Sequence, residues 1–423
     1  MKSSVTRGKW YYGWVVIAVT FLTLLVSAGI RSMPSLYMEP FEDEFGWSRG
    51  GISGVLSIGI FLYGMVGPFS ASLLERFGVR RMTLISLAVL AAGLSVTPWM
   101  TELWQFNLLW GVVAGFGTGM MANVLGVTVA NHWFVRHKGL VVGILTASAA
   151  TGQLLFLPLL AKITVEFGWR NAVYTAVGAL VLLMILVALL MRNHPYDIGA
   201  APYGTDDRAK PEPFRGNIFL APLQALAAGT KNKTFWLLSV SFIICGFSTN
   251  GLIGTHLIPA CGDYAIPEVT AASLLALMGV FDLVGTTLSG WLADRFDSRK
   301  LLFVYYGLRG LSLLYLPTAL GGGPLNLTLF SVFYGLDWIA TVPPTVKLAT
   351  QQFGKQRAGM IFGWIVVFHQ LGASAATYSA GLTRQFLGSY TVPFMAAGIV
   401  CFIAAVLSMR VSPKGGSAAQ VHA

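Results

Sequence analysis

Four ionisable side chains stand in the middle of long apolar stretches of this chain: Asp282, Arg309, Asp337 and His369. A carboxyl or imidazole group can take up and release a proton, and a guanidinium can bind an anion. If these stretches cross a membrane, a charge at the bilayer centre costs at least ~2.5 to 3.5 kcal/mol, so each group is expected to be paired or functional. These residue types could therefore support proton transfer and anion binding.

The composition indicates that the stretches do lie in a membrane. Of the 423 residues, 55% are apolar and only 11% are charged, against about 45–50% and 25% in soluble domains. Segments of about 20 apolar residues, which is the length that spans a bilayer core, recur along the whole chain. The sequence therefore predicts an all-α membrane protein with twelve spans: 12–32, 51–70, 82–100, 103–129, 139–161, 168–191, 234–258, 269–293, 300–318, 325–346, 358–382 and 390–410.

The positions of lysine and arginine predict the orientation. With the first residue inside, 22 of the 28 basic residues fall in segments on the inner side and four on the outer side. The positive-inside rule then places both termini in the cytoplasm, and we expect the plasma (inner) membrane. The same distribution accounts for the net charge of +11 without a nucleic-acid partner.

One long polar segment divides the spans into two equal sets of six. Residues 192–233 contain five prolines and charges of both signs, which is typical of a linker, although 218–229 could form a helix at the membrane interface. The predicted organisation is a six-helix bundle over 1–191, a cytoplasmic linker over 192–233, a second six-helix bundle over 234–410 and a cytoplasmic tail over 411–423. Equal halves suggest a duplication.

A short motif at equivalent places in the two halves supports the duplication. ASLLERFGVRR follows the second span and GWLADRFDSRK follows the eighth. In this the chain resembles the major facilitator superfamily, which has a Gly-x-x-x-Asp-Arg turn and basic residues at both places. The second copy matches this signature, whereas the first has Ala71 in place of glycine and Glu75 in place of aspartate.

The resemblance implies twelve transmembrane helices in two six-helix bundles that rock about a central site. It also implies that the motif turns hold the cytoplasmic gate. The gating residues would be Glu75, Arg76, Asp294 and Arg295.

A closer resemblance comes from two further segments. NHWFVRHKGLVVGILTASAATG, before and within the fifth span, and YYGWVV, at the start of the first, are similar to motifs of monocarboxylate porters and their oxalate/formate-exchanger relatives. Those porters carry an aspartate in the eighth span followed one turn later by an arginine. Here Asp282 is followed four residues on by Thr286, so the substrate is left open.

The four central ionisable groups all belong to the second half and are expected at similar depth. Arg309 would either form an ion pair with Asp282 or Asp337 or bind substrate directly. Because one arginine cannot neutralise two acids, one carboxyl group would remain to carry a proton. His369, with Gln370 beside it, is either a packing residue or a pH-responsive cavity group.

Other residues in the spans have two possible roles each. Arg31, at the end of the first span, could extend to the interface or attract an anion. Asn123 lies in a glycine-rich fourth span, which favours close helix packing over a site. In the resembled family, spans one, four, seven and ten line the pathway. That places four more residues beside it, namely Asn250, His256, Tyr334 and Trp338.

These observations favour transport over catalysis. The phosphate-binding loop of ATPases and the HExxH and GxSxG motifs are absent from the sequence, and the three cysteines have no metal-ligand spacing, so we expect no enzyme activity and no cofactor. We predict a monomeric secondary transporter in the lipid bilayer. It would move a small organic anion, with a monocarboxylate as one candidate, by alternating access coupled to protons. Two alternatives stay open: an exporter of drug-like or neutral solutes, and a membrane sensor that does not transport.

Overall fold

A computed structural model describes residues 11–205 and 217–412, except the side chains of 123, 138, 139, 149, 150, 153, 154 and 355–357. Within these ranges the chain is helical, apart from turns and a single isolated bridge between Phe134 and Tyr203. There are twelve long helices at the places of the twelve predicted spans: α1 (Gly13–Ser32), α2 (Arg49–Phe77), α3 (Val79–Val96), α4 (Leu103–Trp133), α5 (Lys138–Phe167), α6 (Trp169–Leu190), α7 (Lys233–Gly262), α8 (Glu268–Arg295), α9 (Ser298–Gly321), α10 (Pro324–Gly354), α11 (Ala358–Leu387) and α12 (Thr391–Met409).

Ten of these helices, judged on the described residues, are long and apolar enough to cross a membrane. The other two are α5, part of whose side chains lie outside the described set, and α9, whose mean hydropathy is lowered by Arg309 and several tyrosines. A further helix in the linker, Leu220–Thr230, coincides with the predicted interfacial segment. It packs against α11, where Trp364 Nε1 donates to the carbonyl oxygen of Pro222 at 2.7 Å.

Helix packing repeats from the first six helices to the last six. The main contacts in the first set are α1 with α5, α2 with α4 and α3 with α6, and the same pairs recur as α7 with α11, α8 with α10 and α9 with α12. Across the two sets, α2 packs on α11 and α8 packs on α5, which are again equivalent pairs. This is the pattern that two copies of one six-helix unit produce.

Glycines permit the close helix pairs in both sets. A Cβ atom at Gly115 of α4 would lie 2.8 Å from the carbonyl oxygen of Gly59 in α2, and a Cβ atom at Gly285 of α8 would lie 1.8 Å from that of Leu336 in α10. Small residues let helix backbones approach closely in lipid. The glycines of α4 therefore serve packing.

The chain ends that the structure describes lie on the same face, here called the termini face. Tyr11 Oη donates to the carbonyl oxygen of Trp133 at the end of α4, and Arg299, in the first turn of α9, donates to the carbonyl oxygen of Val411. An even number of spans requires this arrangement. The opposite side is called the far face below.

The far face is where polar groups join the two halves. Arg49, at the start of α2, is paired with Glu42 of the short helix Met38–Phe45 and donates from Nη1 to Tyr390 Oη at 3.3 Å. The backbone N–H of Gly50 donates to Gln385 Oε1 at 3.1 Å. The far-face ends of the halves are therefore in contact.

We expect a side chain at Gly285 to disrupt the contact between α8 and α10. Gly285→Ala should lower the melting temperature in detergent by several degrees, because overpacking costs about 1–3 kcal/mol and the clash is with backbone. Gly307→Ala in α9 is the matched control, since a Cβ atom there meets nothing within 4 Å, and alanine favours a helix. Equal melting temperatures for the two variants would contradict the close approach.

Candidate binding cavity

A cavity of about 240 Å³ lies between the two halves near the middle of the helices. Its wall combines apolar and aromatic side chains with a few polar groups, as ligand-binding pockets do. Helices α1, α2, α4 and α5 supply one side, and α7, α8, α10 and α11 the other. The polar and aromatic members are Ser27, Arg31, Tyr63, Thr146, Phe242, Cys245, Thr249, Asn250, Asp282, Thr286, Trp338, Phe362, His369 and Gln370.

Arg31 is the cation of the cavity wall. Its guanidinium carbon lies 4.9 Å from the ring centroid of Tyr63 in α2, which is a cation–π contact. None of the carboxylates that the structure describes lies within ion-pair distance of it. Its hydrogen-bond donors are therefore available to an anion in the cavity.

Asp282 is the acid of the cavity wall, and it also supports a break in α10. The helix loses regular geometry over residues 338–341 and resumes at Val342. Asp282 Oδ1 accepts from the freed backbone N–H of Ile339 and from Thr286 Oγ1, both at 2.9 Å. Asp282 Oδ2 has no hydrogen-bond partner among the described residues.

The interruption of α10 lies before the double proline Pro343-Pro344 rather than at it. Pro343 and Pro344 occupy the first turn of the resumed helix, where a missing N–H leaves no bond unmade. The interruption itself is at Trp338 and the three residues after it. A separate kink at Gly354, with φ of 75°, divides α10 from α11.

Arg309 lies behind the break, and it is fully buried. Its Nε donates to Asp337 Oδ2 at 2.7 Å, and Nη2 donates to the carbonyl oxygens of Asp337 and Trp338. Its Nη1 donates to Cys245 Sγ of α7 at 2.9 Å. These contacts engage Asp337 Oδ2 and the carbonyl oxygens that the break exposes, while Asp337 Oδ1 is buried without a partner among the described residues. Neither Arg309 nor Asp337 lines the cavity.

The ion pair therefore joins Arg309 to Asp337 and leaves Asp282 without a cation. Both alternatives for the pairing were compatible with the sequence, because the two acids lie at similar depth. The structure also removes Arg309 from contact with a molecule in the cavity. Arg31 is left as the arginine that lines it.

Four further predicted residues line the cavity, and one of them, Trp338, is the first residue of the interruption in α10. Asn250 lies in the π-helical turn Phe247–Ile253 of α7, a feature often found at functional sites. His369 packs its ring 5.4 Å from that of Phe242, and its Nδ1 is buried without a partner among the described residues. Gln370 is buried beside Gly64 of α2.

Two residues that the family resemblance placed beside the pathway do not line the central cavity. Tyr334 is buried behind α10 and donates to the carbonyl oxygen of Ser248 at 2.7 Å. His256 lies nearer the far face, where its ring nitrogens contact the carbonyl oxygen of Thr377 and Tyr390 Oη. Asn123 starts the helical segment Asn123–Trp133, and its side chain lies outside the described set.

The predicted gating residues are exposed at the termini face. Glu75 Oε1 contacts His132 Nε2 of α4 at 2.9 Å, and the Arg76 guanidinium lies 5.8 Å from the ring of Phe77. Arg295 stacks on Trp291 at 4.0 Å. Asp294 makes no ion pair with the side chains that the structure describes. The gating role of all four stays a prediction.

Tyr63 and Cys245 are two of the cavity residues that the sequence does not indicate. Tyr63 stands in an apolar aromatic run of the second span, and nothing polar marks it. Cys245 is one of three cysteines, and nothing in the sequence distinguishes it from the other two. Their partners, Arg31 of α1 for Tyr63 and Arg309 of α9 for Cys245, are brought to them only by the folded chain.

The Arg309–Asp337 pair gives a stability prediction. Arg309→Met should lower the melting temperature markedly, because breaking a buried pair costs ~3–5 kcal/mol. The double variant Arg309→Met, Asp337→Leu should regain part of that loss, since it leaves no charge unpaired. Arg31→Met is the matched control and should unfold close to the wild-type temperature. A double variant no more stable than Arg309→Met would contradict the pairing.

Comparison with known proteins agrees with this architecture. A family model described as Major Facilitator Superfamily matches residues 20–377. The crystal structure of a D-xylose-proton symporter superposes with a TM-score of 0.72, covering 95% of this chain and 98% of that one, at 14% identity. At that identity the likeness concerns the fold, and it confirms the predicted all-helical class.

Curated relatives match over almost the whole chain. The uncharacterised MFS-type transporter YcxA of Bacillus subtilis (strain 168) is 26% identical over 405 residues, which are 94% of each chain. Monocarboxylate transporter 13 of Rattus norvegicus is 25% identical over 92% of this chain and 86% of its own. Monocarboxylate transporter 12 of Homo sapiens is 23% identical over 96% and 81% respectively.

Proposed function

The chain belongs to the Major Facilitator Superfamily, and from that premise we propose that it moves a small organic anion together with a proton by alternating access. As an integral membrane transporter it is not an enzyme, as the sequence predicted. The substrate class and the proton are the proposal. Relatives named monocarboxylate transporters make a monocarboxylate the first substrate to test.

The observation that carries the proposal is the state of Arg31. Arg31 is half-buried at the end of α1, on the wall of the cavity between the two halves and without a described carboxylate in ion-pair contact, so an anion in the cavity would be a favourable partner for it. A carboxylate is a good partner because it can accept two parallel hydrogen bonds from a guanidinium. Phe242, Trp338 and Phe362 line the same cavity and would contact the apolar part of such a substrate.

Charge balance gives a reason for proton coupling. With Arg31 as a cation and Asp282 ionised, these two side chains of the cavity wall have a net charge of zero. Binding a carboxylate alone would make it negative, and protonating Asp282 alone would make it positive. Only a carboxylate together with a proton restores neutrality, and a net charge is what a low-dielectric interior disfavours.

Asp282 is suited to carry that proton for two reasons. Its Oδ1 is engaged with Thr286 and the N–H of Ile339, while Oδ2 has no described partner. Asp337, in contrast, is held by Arg309 at 2.7 Å. His369 lines the cavity and is the next candidate if Asp282 is not the coupling group.

The proposal also covers the membrane, the orientation and the oligomeric state of the protein. We place the termini face in the cytoplasm and the protein in the plasma membrane as a monomer, supported by the excess of lysine and arginine in the segments on that face. The rival candidate is an exporter of neutral or drug-like solutes. It is favoured by the aromatic side chains of the cavity wall and requires no role for Arg31.

Binding measurements separate these candidates. Lactate and benzoate should raise the melting temperature of the purified protein, since a ligand of the folded state stabilises it, whereas lactamide and benzamide should not. Arg31→Gln should abolish the shift, and Arg410→Gln, at the exposed end of α12, should keep it. Equal stabilisation by acids and amides would favour the neutral-solute exporter.

Transport by Asp282→Asn tests the coupling. In proteoliposomes an inward proton gradient should drive accumulation of [14C]benzoate by the wild type and not by Asp282→Asn. Exchange of labelled for unlabelled benzoate should survive, because exchange does not require the empty carrier to return. Asp43→Asn, an exposed acid at the far face, is the control and should accumulate normally. Gradient-driven accumulation by Asp282→Asn would exclude Asp282 as the coupling group.

A further inference from the structure

A second, smaller chamber lies on the far-face side of Arg31. Its volume is about 60 Å³, compared with the roughly 10–15 Å³ that one water needs by the same kind of measure. It is therefore large enough for a carboxylate-sized group. Residues from α1, α2 and α4 line one side, and Gly254 and Thr255 of α7 line the other.

Arg31 and Tyr63 belong to the walls of both the small chamber and the central cavity. The Tyr63 ring holds the guanidinium at 4.9 Å, so the two side chains form the partition between the spaces. Both residues are half-buried. One cation is thus reachable from the central cavity on one side and from the small chamber on the other.

Beyond the small chamber the path to the far face is closed. The turn Met33–Leu36 after α1 packs against the segment Gly254–Gly262 of α7. Further out, Arg49 donates to Tyr390 Oη. The small chamber is what remains of the route between the cavity and the far face when these contacts are made.

We propose that the small chamber is a transit subsite for the substrate's carboxylate group, and that Arg31 binds this group on both sides of the partition. This rests on the proposed function, because it takes the substrate to be an organic anion. An anion that left one cation before reaching another would be unpaired within the protein, which is strongly unfavourable. A shared guanidinium removes that step, and Tyr63 is the residue that positions it.

Gly254 offers a way to narrow the small chamber, because it lines this chamber and not the central cavity. A Cβ atom there would meet the carbonyl oxygen of Thr249 at 3.6 Å and the Trp338 ring at 3.8 Å, which are ordinary contacts. Thr249 and Trp338 line the central cavity, so slower exchange is assigned to the small chamber only where the binding affinity is unchanged.

The test compares binding with exchange of [14C]lactate and [14C]benzoate. Gly254→Val should bind both with an affinity within about threefold of wild type, yet exchange them at least tenfold more slowly. Gly254→Ala should fall between Gly254→Val and wild type. Gly307→Val, the same substitution at a position of α9 with nothing within 4 Å, should match wild type in both measurements.

Two results overturn the inference while leaving the proposed function intact. One is wild-type exchange by Gly254→Val, and the other is a loss of binding as large as the loss of exchange. If Gly254→Val does not give a monodisperse folded protein, Gly254→Ala decides alone: threefold slower exchange at unchanged affinity supports the subsite, and wild-type exchange overturns it. If the wild type neither binds nor exchanges either acid, the proposed function itself is contradicted, and the inference of a transit subsite is contradicted as well.

Discussion

The interruption of α10 is the constraint on which the rest of the site depends. Inside a bilayer, backbone groups released from a helix must find partners within the protein. Asp282 accepts from the N–H of Ile339, and Arg309 donates to the carbonyl oxygens of Asp337 and Trp338. A break that would be unstable in lipid is thus held by one acid from α8 and one base from α9.

The same contacts separate the charges into two groups with different surroundings. Arg309 and Asp337 form a buried pair behind α10, outside the wall of the central cavity. Arg31 and Asp282 face the cavity from opposite halves, each without an oppositely charged side chain in ion-pair contact among the described residues. The proposed coupling of an anion to a proton follows from that second group, because only joint loading keeps the cavity neutral.

The sequence predicts the helices and most of the charged residues of the site, but not which charged residues pair with each other. The twelve long helices lie at the predicted runs of apolar residues, because the length and hydropathy of such runs are sufficient to identify membrane spans. Depth along a helix follows from residue number, so Asp282, Arg309 and Asp337 were expected to meet. Which acid faces Arg309 depends on the rotation of α10 about its axis, and that is set by packing. For the same reason Tyr334 and His256 were expected at the pathway but do not line the central cavity, while Tyr63 carried no signal.

Electroneutral coupling is the central claim, and its most direct test is the response of uptake to voltage and to pH measured separately. Uptake of [14C]lactate into liposomes containing the wild-type protein, measured above the uptake into protein-free liposomes, should rise with an inward proton gradient, and it should not change when valinomycin and potassium impose a membrane potential of either sign. A carrier of one anion with one proton moves no net charge, so voltage should have no effect on it. Uptake that follows the membrane potential and ignores the pH gradient would contradict the account.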